Sequence, residues 1–600
     1  MSILRALVRL GDRLGSDGTA PTFGFSRENI FFAVVLVNGG AEWDVVDLRD
    51  PSGKKPRPQR LDVPRPEKRS GTQPPPNFLW DNTAYTLGVT RDRETNRAIP
   101  TERRHAAFKD HHREMLEECN DAGAQALLHF LDTWRVADYE SLRHKADMLG
   151  TNIVFRLDGE GKYLHERDAI RQIWLEHVGG ATGSRGLCLV TGAHAAIARL
   201  HPRIKGVAGG QPGGGDIVSF NEQAFESYGK KQGANAPVSE RAASAYTTAL
   251  NTLLERNSRQ HIRIADTTAV FWAEAARTEA ARAEDLIAKL LEPPTDAEET
   301  SQVAIRLAAV AKGQPLELEE VDPNLDPNTR FYVLGLAPNA GRISVRFWCE
   351  DTIGAIARRI SEHWSDLRLE PTPWRTAPAA WRLLSETAVQ HKGQNIPPTL
   401  TGALMRAILH GGRYPQSLFA AIVARMRADK DVTGSRAAIC KACLARDHRL
   451  GFEQEDVPVS LNRSETNTAY RLGRLFAVYE SVQRAALGKV NATIKDRYFG
   501  AASAAPASVF PLLERGSTSH LASLRKGDKG GLAHWYEREI DEILAGIQTE
   551  FPRSLRLADQ GRFAIGYHHQ RATKGSTDHK GSADPQVGNT ESRSAIQDEE

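Results

Sequence analysis

The chain predicts an α+β protein: a mixed α/β N-terminal region with antiparallel hairpins, followed by an all-α C-terminal helical bundle. Three observations predict it. Two pairs of β-branched and aromatic runs flank turn signals: Ile30–Val37 and Glu42–Leu48 around Asn38-Gly39-Gly40, and Phe331–Leu336 and Arg342–Trp348 around Ala337-Pro338-Asn339-Ala340-Gly341. From about residue 375 the apolar period becomes helical, at 398–411, 415–428, 433–446, 463–487 and 535–548. The last stretch, 571–600, is Ser, Thr, Gly, Asp and Lys with almost no apolar side chains, so it is expected to be disordered. The expected division is therefore 1–375, a helical connection over 376–455, a bundle over 456–570, and the tail.

In order along the chain, residues 1–10 read as a short amphipathic helix, too broken by Arg5 and Arg9 for a signal h-region. The first hairpin follows. Lys54 to Arg69 is basic and proline-rich, which keeps it out of helix and displays Lys54, Lys55 and Arg57 along an extended arm. Such an arm is either a solvated linker or a contact for a phosphate backbone. The segment Asn77-Phe78-Leu79-Trp80-Asp81-Asn82 closes it. A charged helix carrying His111 and His112 fills roughly 101–135, and strands are expected at Asn152–Leu157, Gly186–Thr191, Asp216–Phe220 and Asp266–Trp272. Residues 293–328 are acidic and proline-bearing, an excursion or boundary.

Composition bounds the function. The 600 residues are 40% hydrophobic with a net charge of only +3, so a nucleic-acid surface must be local. Mean hydropathy is −0.44. Five cysteines make no disulfide framework and suit a reducing cytoplasm. No run of 18 apolar residues marks a membrane span.

The densest local signal is Gly206-Val207-Ala208-Gly209-Gly210-Gln211-Pro212-Gly213-Gly214-Gly215, preceded by Lys205. Gly210 and Gly215 have Walker spacing, but Asp216-Ile217 stand where Lys and Ser/Thr belong, and an acid there repels phosphate. No register gives G-x-G-x-x-G. Two readings stay open: backbone that approaches a nucleic-acid groove, or a flexible surface loop. The stretch after it mixes aromatics and amides, Asn221 among them, with Lys230 and Lys231.

Other motifs carry less. Cys440-Lys441-Ala442-Cys443 has no second cysteine pair to complete a zinc site and lies within a predicted helix, so both thiols read as small buried hydrophobes. Asp110-His111-His112 lacks the further ligands a phosphoesterase needs, and its histidines read as part of a solvated face. No H-E-x-x-H, G-x-S-x-G or paired-acid motif is present, so no metal and no catalytic residue is assigned. In the C-terminal helices Arg471 and Arg474 fall outside the apolar stripe, and Lys495 and Arg497 follow, a pattern that is either ordinary solvent-facing charge or part of a phosphate track.

Several long stretches together resemble the large subunit of the subtype I-C CRISPR surveillance complex (Cascade). They are Phe25 to Asp50, the Asn77–Asn82 segment, Lys205-Gly206-Val207 through Asn235-Ala236-Pro237-Val238-Ser239, Ala245–Asn251, Ala469–Phe476 and Asn491–Ser503, in that order. Cys440 and Cys443 and the polar tail depart from the pattern without disturbing it. The resemblance implies a cytoplasmic, non-catalytic DNA-binding subunit with no cofactor. Its implied partners are the backbone and guide-end-binding subunits, a small subunit, CRISPR RNA, target double-stranded DNA and a helicase-nuclease. It would read a short protospacer-adjacent motif, help open the duplex and hold the displaced strand, while guide pairing reads the long sequence. The DNA-binding residues expected on this basis are Gly209, Gly210, Gly213, Gly214 and Gly215 for close backbone approach, Gln211 and Asn221 for base edges, and Lys205, Lys230 and Lys231 for flanking phosphates. Lys54, Lys55, Arg57 and Asn77 join them from the arm, and Arg471, Arg474, Lys495 and Arg497 from the bundle. The resemblance also implies a small subunit started internally within the bundle; Met426 is the last methionine, so the start needs a non-AUG codon at a Val or Leu such as Val478 or Val482. A nuclease or nucleotide hydrolase and a purely structural scaffold are the competing classes.

Overall fold

The computed structural model describes residues 2–52, 56–67, 75–92, 95, 97–180, 184–293, 322–488, 490–547 and 550–578. Lys54, Lys55, most of the acidic excursion and residues 579–600 of the expected tail lie outside them. The chain forms two compact units, 1–258 with 338–344, and 259–337 with 345–600.

In the first unit a four-stranded sheet runs in the order Glu42–Asp47, Phe32–Val37, Asn152–Leu157, Trp80–Asn82. The expected hairpin is present, with Val34 opposite Val45, and the central pair is parallel, Phe32 beside Ile153. Phe32-Ala33-Val34-Val35-Leu36 does not alternate with polar residues because both faces are covered. Val34, Leu36, Ile153 and Phe155 share a core with Phe108, Leu127 and Phe130 from the helices Glu102–Leu116 and Ala122–Thr133. Ala33, Val154 and Trp80 pack on Ile30 and Val63 on the other side.

Val63 exposes a correction to the arm. Gln59–Pro64 is not a displayed extended segment but a strand, paired antiparallel with Phe25–Ile30. Prolines 56, 58 and 66 flank this strand and Pro64 only ends it, so the ladder survives them. Arg27 clasps Asp62 across the pair with one bidentate guanidinium edge, Nε and Nη2, at 2.7 and 3.1 Å. Two other expected strands shrink. Asp216–Phe220 makes only an isolated bridge, Asp216 to Arg342, and of Gly186–Thr191 only the start is paired, through Arg185–Leu187 with His194–Ala196.

The histidine helix also differs from expectation. His112 is fully buried rather than solvated. Its ring stacks on Phe78 with centroids 5.4 Å apart, and Nε2 accepts from the Leu79 N–H at 2.8 Å. That geometry requires a neutral ring, and burial pushes its pKa down to about 3. His363 is pushed down to about 3 by the same cause, and His165 and His569 to about 4. Above pH 6.5 both folded and unfolded chains hold these rings neutral. As pH falls below 6.5 the unfolded chain takes up protons that the folded one refuses, so stability falls with pH. At pH 5 each of the four is expected to cost about 2 kcal/mol. Thermal midpoints measured from pH 7.5 to 5 should therefore drop steeply, and His112→Gln with His363→Gln should flatten that drop.

In the second unit the strand order is His261–Ile264, Thr267–Ala273, Arg330–Asn339, Arg342–Thr352, which includes the second expected hairpin. One face of this sheet, with Phe271, Phe331, Val333 and Phe347, shares a single core with the C-terminal helices. The compact units therefore divide near 258 rather than near 375. Helices Pro398–His410, Gln416–Asp429 and Gly434–Arg449 match the expected ones closely. The first C-terminal helix begins earlier, at Ile353–Leu367, capped directly by the last residue of the hairpin, Thr352, whose hydroxyl accepts from the Ala355 N–H. The outer strand's free edge is occupied: Arg406 donates to the Arg346 carbonyl, and His410 Nε2 lies 3.0 Å from the Trp348 carbonyl.

Helix Thr468–Leu487 crosses the final helix, Leu557–Asp578, at backbone contact. A Cβ on Gly473 would lie 2.0 Å from the Phe563 carbonyl oxygen, and one on Gly566 2.1 Å from that of Tyr470. The final helix runs on past 571, where the tail was expected to begin, because Arg571 folds back over the Tyr567 ring and donates to its hydroxyl at 3.0 Å. Cys440 and Cys443 are both buried in their helix, as small hydrophobes. No helix among the described residues is long and apolar enough to cross a membrane.

Candidate nucleic-acid interface

The glycine-rich segment is an ordered double turn in the first unit. Its two ends exchange backbone hydrogen bonds, Ile204 N–H to Gly215 O and Gly215 N–H to Ile204 O, both 2.9 Å. Inside, Gly210 N–H reaches Val207 O at 3.0 Å and Gly214 N–H reaches Gln211 O at 2.9 Å. The helix Glu240–Leu253 staples the loop from below: Asn251 Oδ1 accepts from the Lys205 N–H at 2.8 Å, and its amide donates to Arg203 O at 3.2 Å. Of the two open readings, these bonds favour a shaped loop over a flexible one.

The glycines divide by role. Gly214 and Gly215 are buried at the base. Gly214 has φ +83° and a Cβ there would sit 2.6 Å from the Ile204 carbonyl oxygen, so only glycine fits. Gly209, Gly210, Gln211, Pro212 and Gly213 form the exposed rim. A Cβ on Gly213 would meet nothing nearer than an Arg203 guanidinium nitrogen at 3.7 Å. Gln211, on the rim, presents its amide outward with no side-chain partner among the described residues.

Several sequence-predicted residues converge here. Lys205 is exposed beside the rim, with Glu28 3.8 Å from its ammonium. Asn221 is not free to address a base as expected: its Oδ1 accepts from Arg342 at 2.6 Å. Arg342 follows the hairpin turn, lies against Gly215 and covers the Phe225 ring at 4.3 Å, so it ties the loop to the segment after it. Lys230 and Lys231 are exposed on that segment. Arg199, Arg203 and Arg342, which sequence reasoning did not single out, complete the basic group, while Glu222 and Glu226 are exposed within it. Their common placement depends on turns distant in sequence.

Other predicted residues are placed otherwise. Asn77 is buried, and its Oδ1 accepts from the Glu67 N–H at 3.1 Å, which makes it a brace for the chain rather than a surface contact. Arg57 is exposed and bridges Asp50 through its backbone. Its strand neighbours Arg60 and Arg65 are drawn onto Glu255 and Glu240.

In the second unit, Arg474 is a correction. It is fully buried, donating to Gln570 at 2.9 Å and to Glu542 at 3.1 Å, so it faces the final helix rather than solvent. Arg471 donates to the Glu465 carbonyl. Lys495 is mostly covered and pairs with Asp431 at 3.5 Å, whereas Arg497 is exposed. Of the four bundle residues only Arg497 stands ready for a phosphate. Among the described residues no three His, Cys, Asp or Glu side chains are grouped to hold a metal ion.

A search of curated proteins finds no match for this chain. The profile of a protein family, CRISPR-associated protein Csd1, matches residues 7–574, a span that takes in most of the first helix, both hairpins, the glycine loop and the C-terminal helices into the last one. The chain therefore belongs to the Csd1 family, the large subunits of type I-C Cascade.

Proposed function

We propose that this large subunit reads the protospacer-adjacent motif on double-stranded DNA with the loop Lys205–Gly215, and does so without catalytic chemistry of its own. The observation that carries the reading is the loop's construction. A hydrogen-bonded, stapled base holds an exposed rim of backbone and one unpartnered amide, Gln211, with Lys205, Arg203 and Arg342 at the loop and Lys230 and Lys231 exposed on the segment that Arg342 ties to it. Backbone of this kind enters a groove that side chains would block, and the surrounding cations hold phosphates in register. On this reading the subunit also promotes duplex opening and R-loop formation, steadies the displaced strand and helps recruit the helicase-nuclease. Its partners are the backbone and guide-end-binding subunits, a small subunit and CRISPR RNA. A small subunit begun at Val478 or Val482 would start in mid-helix and lose Gly473 and Arg474, so a fragment that keeps the seam with the final helix starts before Thr468.

The test is a gel shift of the assembled complex on duplexes with and without the motif. Gly213→Val, on the open rim, is expected to weaken motif-bearing duplex by about 1–3 kcal/mol per lost base contact and leave assembly intact. Gly214→Val is expected to collapse the loop itself. Undiminished discrimination in Gly213→Val would remove the rim as reader, and equal binding of both duplexes by the unaltered complex would leave a scaffold.

A further inference from the structure

Thirteen residues beyond Gly215, the chain makes a tight reversal whose tip is an aromatic ring in open solvent. Ser227 and Lys230 form an antiparallel bridge, with Lys230 N–H to Ser227 O at 3.0 Å. The two residues between them, Tyr228 and Gly229, have φ of +53° and +69°. Both central residues at positive φ is the arrangement of tight hairpin turns that Asn-Gly normally fills. Glycine adopts it freely; tyrosine is strained there. The ring gains nothing from the fold in return, since Tyr228 is 97% exposed.

The turn that carries this ring is braced on every side. Asn235 bonds it three times: its Oδ1 accepts from the Ser227 N–H, and its amide donates to Lys230 O and Gln232 O, each at 3.0 Å. Gly233 sits so close to the preceding chain that a Cβ would fall 2.0 Å from the Ala198 carbonyl oxygen, and its N–H donates to Arg199 O at 3.0 Å. On the other side Arg342 holds Asn221 and Phe225. Lys230 and Lys231, both exposed, follow the ring directly.

The geometry points to Tyr228 as a base-stacking platform: its ring takes the face of a nucleobase unpaired at the edge of the read motif, while Lys230 and Lys231 hold the adjoining phosphates. An exposed ring carried on a braced backbone offers stacking area with only its own side-chain torsions left to order, and every base has a π-face. Flanking lysines select an anionic polymer over an apolar protein surface. This inference rests on the motif-reading function proposed above, and it adds a residue and a contact which that function does not require.

Tyr228→Gly is the informative substitution. It deletes the ring and relieves the positive-φ strain, so a merely structural role predicts equal or higher stability and unchanged DNA binding. The assembled complex, with Tyr228→Gly, Tyr228→Phe and no change, is mixed with target duplex carrying 2-aminopurine at the first position beyond the motif. Stacking is expected to quench the probe in the unaltered and Phe complexes but not in the Gly complex, and Tyr228→Gly should weaken duplex binding about tenfold or more. Its thermal midpoint should not fall. Equal fluorescence and equal affinity in all three complexes, with motif discrimination intact, would overturn the stacking role alone. Loss of motif discrimination in the unaltered complex would overturn the reading function and this inference with it.

Discussion

Asp366→Ala is expected to destabilise the second unit by about 3–5 kcal/mol, the cost of leaving a buried charge without its partner. The stranded charge is Arg446, fully buried in helix Gly434–Arg449. Its Nε donates to Asp366 at 2.5 Å, its Nη1 to the carbonyls of Gly412 and Ala407 at 2.9 and 3.2 Å, and its Nη2 to the Tyr414 hydroxyl at 3.2 Å. Tyr414 in turn lies 2.5 Å from His363 Nδ1. Arg449, half-exposed, also reaches Asp366 at 3.1 Å, but it can turn to solvent when the carboxylate is lost; Arg446 cannot. Thermal unfolding of the single and double variants is the check. Asp366→Ala alone should show the large loss, and adding Arg446→Met should recover much of it, because an apolar pair in the same volume needs no compensating charge. A double variant no better than the single would mean that the arginine's bonds to backbone carbonyls, not its charge, hold the helices together.

Gly473→Val is expected to cost about 3 kcal/mol, near the upper end for overpacking, because the obstacle is backbone. The Phe563 carbonyl oxygen, 2.0 Å from where a Cβ would stand, cannot rotate away as a side chain would, so the two helices must part along their length. Gly566→Val should act alike from the facing helix. Gly516 supplies the control: it lies within helix Pro506–Lys526 with nothing within 4 Å of its would-be Cβ, so Gly516→Ala should stabilise by about 0.5–1 kcal/mol. Limited proteolysis at rising temperature distinguishes the three. Gains from all three would show that helix propensity, rather than the close crossing, governs the bundle.

Both hairpins and most C-terminal helices were legible because each is written locally, by a turn signal between β-branched runs or by a helical apolar period. What escaped was set by residues far away in sequence. The pairing of Gln59–Pro64 with Phe25–Ile30 has no local mark, and the prolines around it argued for the opposite. His112 carries charged neighbours on its own helix, and Phe78 and Leu79, more than thirty residues earlier, close over it. Arg474 has the spacing of a surface residue, and its burial comes from Glu542 and Gln570. Ile353–Leu367 had no turn before it to announce it, since the strand's last residue is its cap. At the candidate interface the glycine loop was visible, but its stapling by Asn251 was not, and neither was the union of Asn221 with Arg342.

The occupied edge of the second sheet bears on how this subunit can associate. Arg406 and His410 reach down from their helix to the outer strand's carbonyls at Arg346 and Trp348, the acceptors that an incoming strand would use. A neighbour therefore cannot extend the sheet at these carbonyls by backbone addition, the route by which open β-edges template stacking of like chains. For a subunit that acts with other Cascade components, that closure confines assembly at these carbonyls to side-chain recognition, which distinguishes one partner from another as uniform backbone pairing does not.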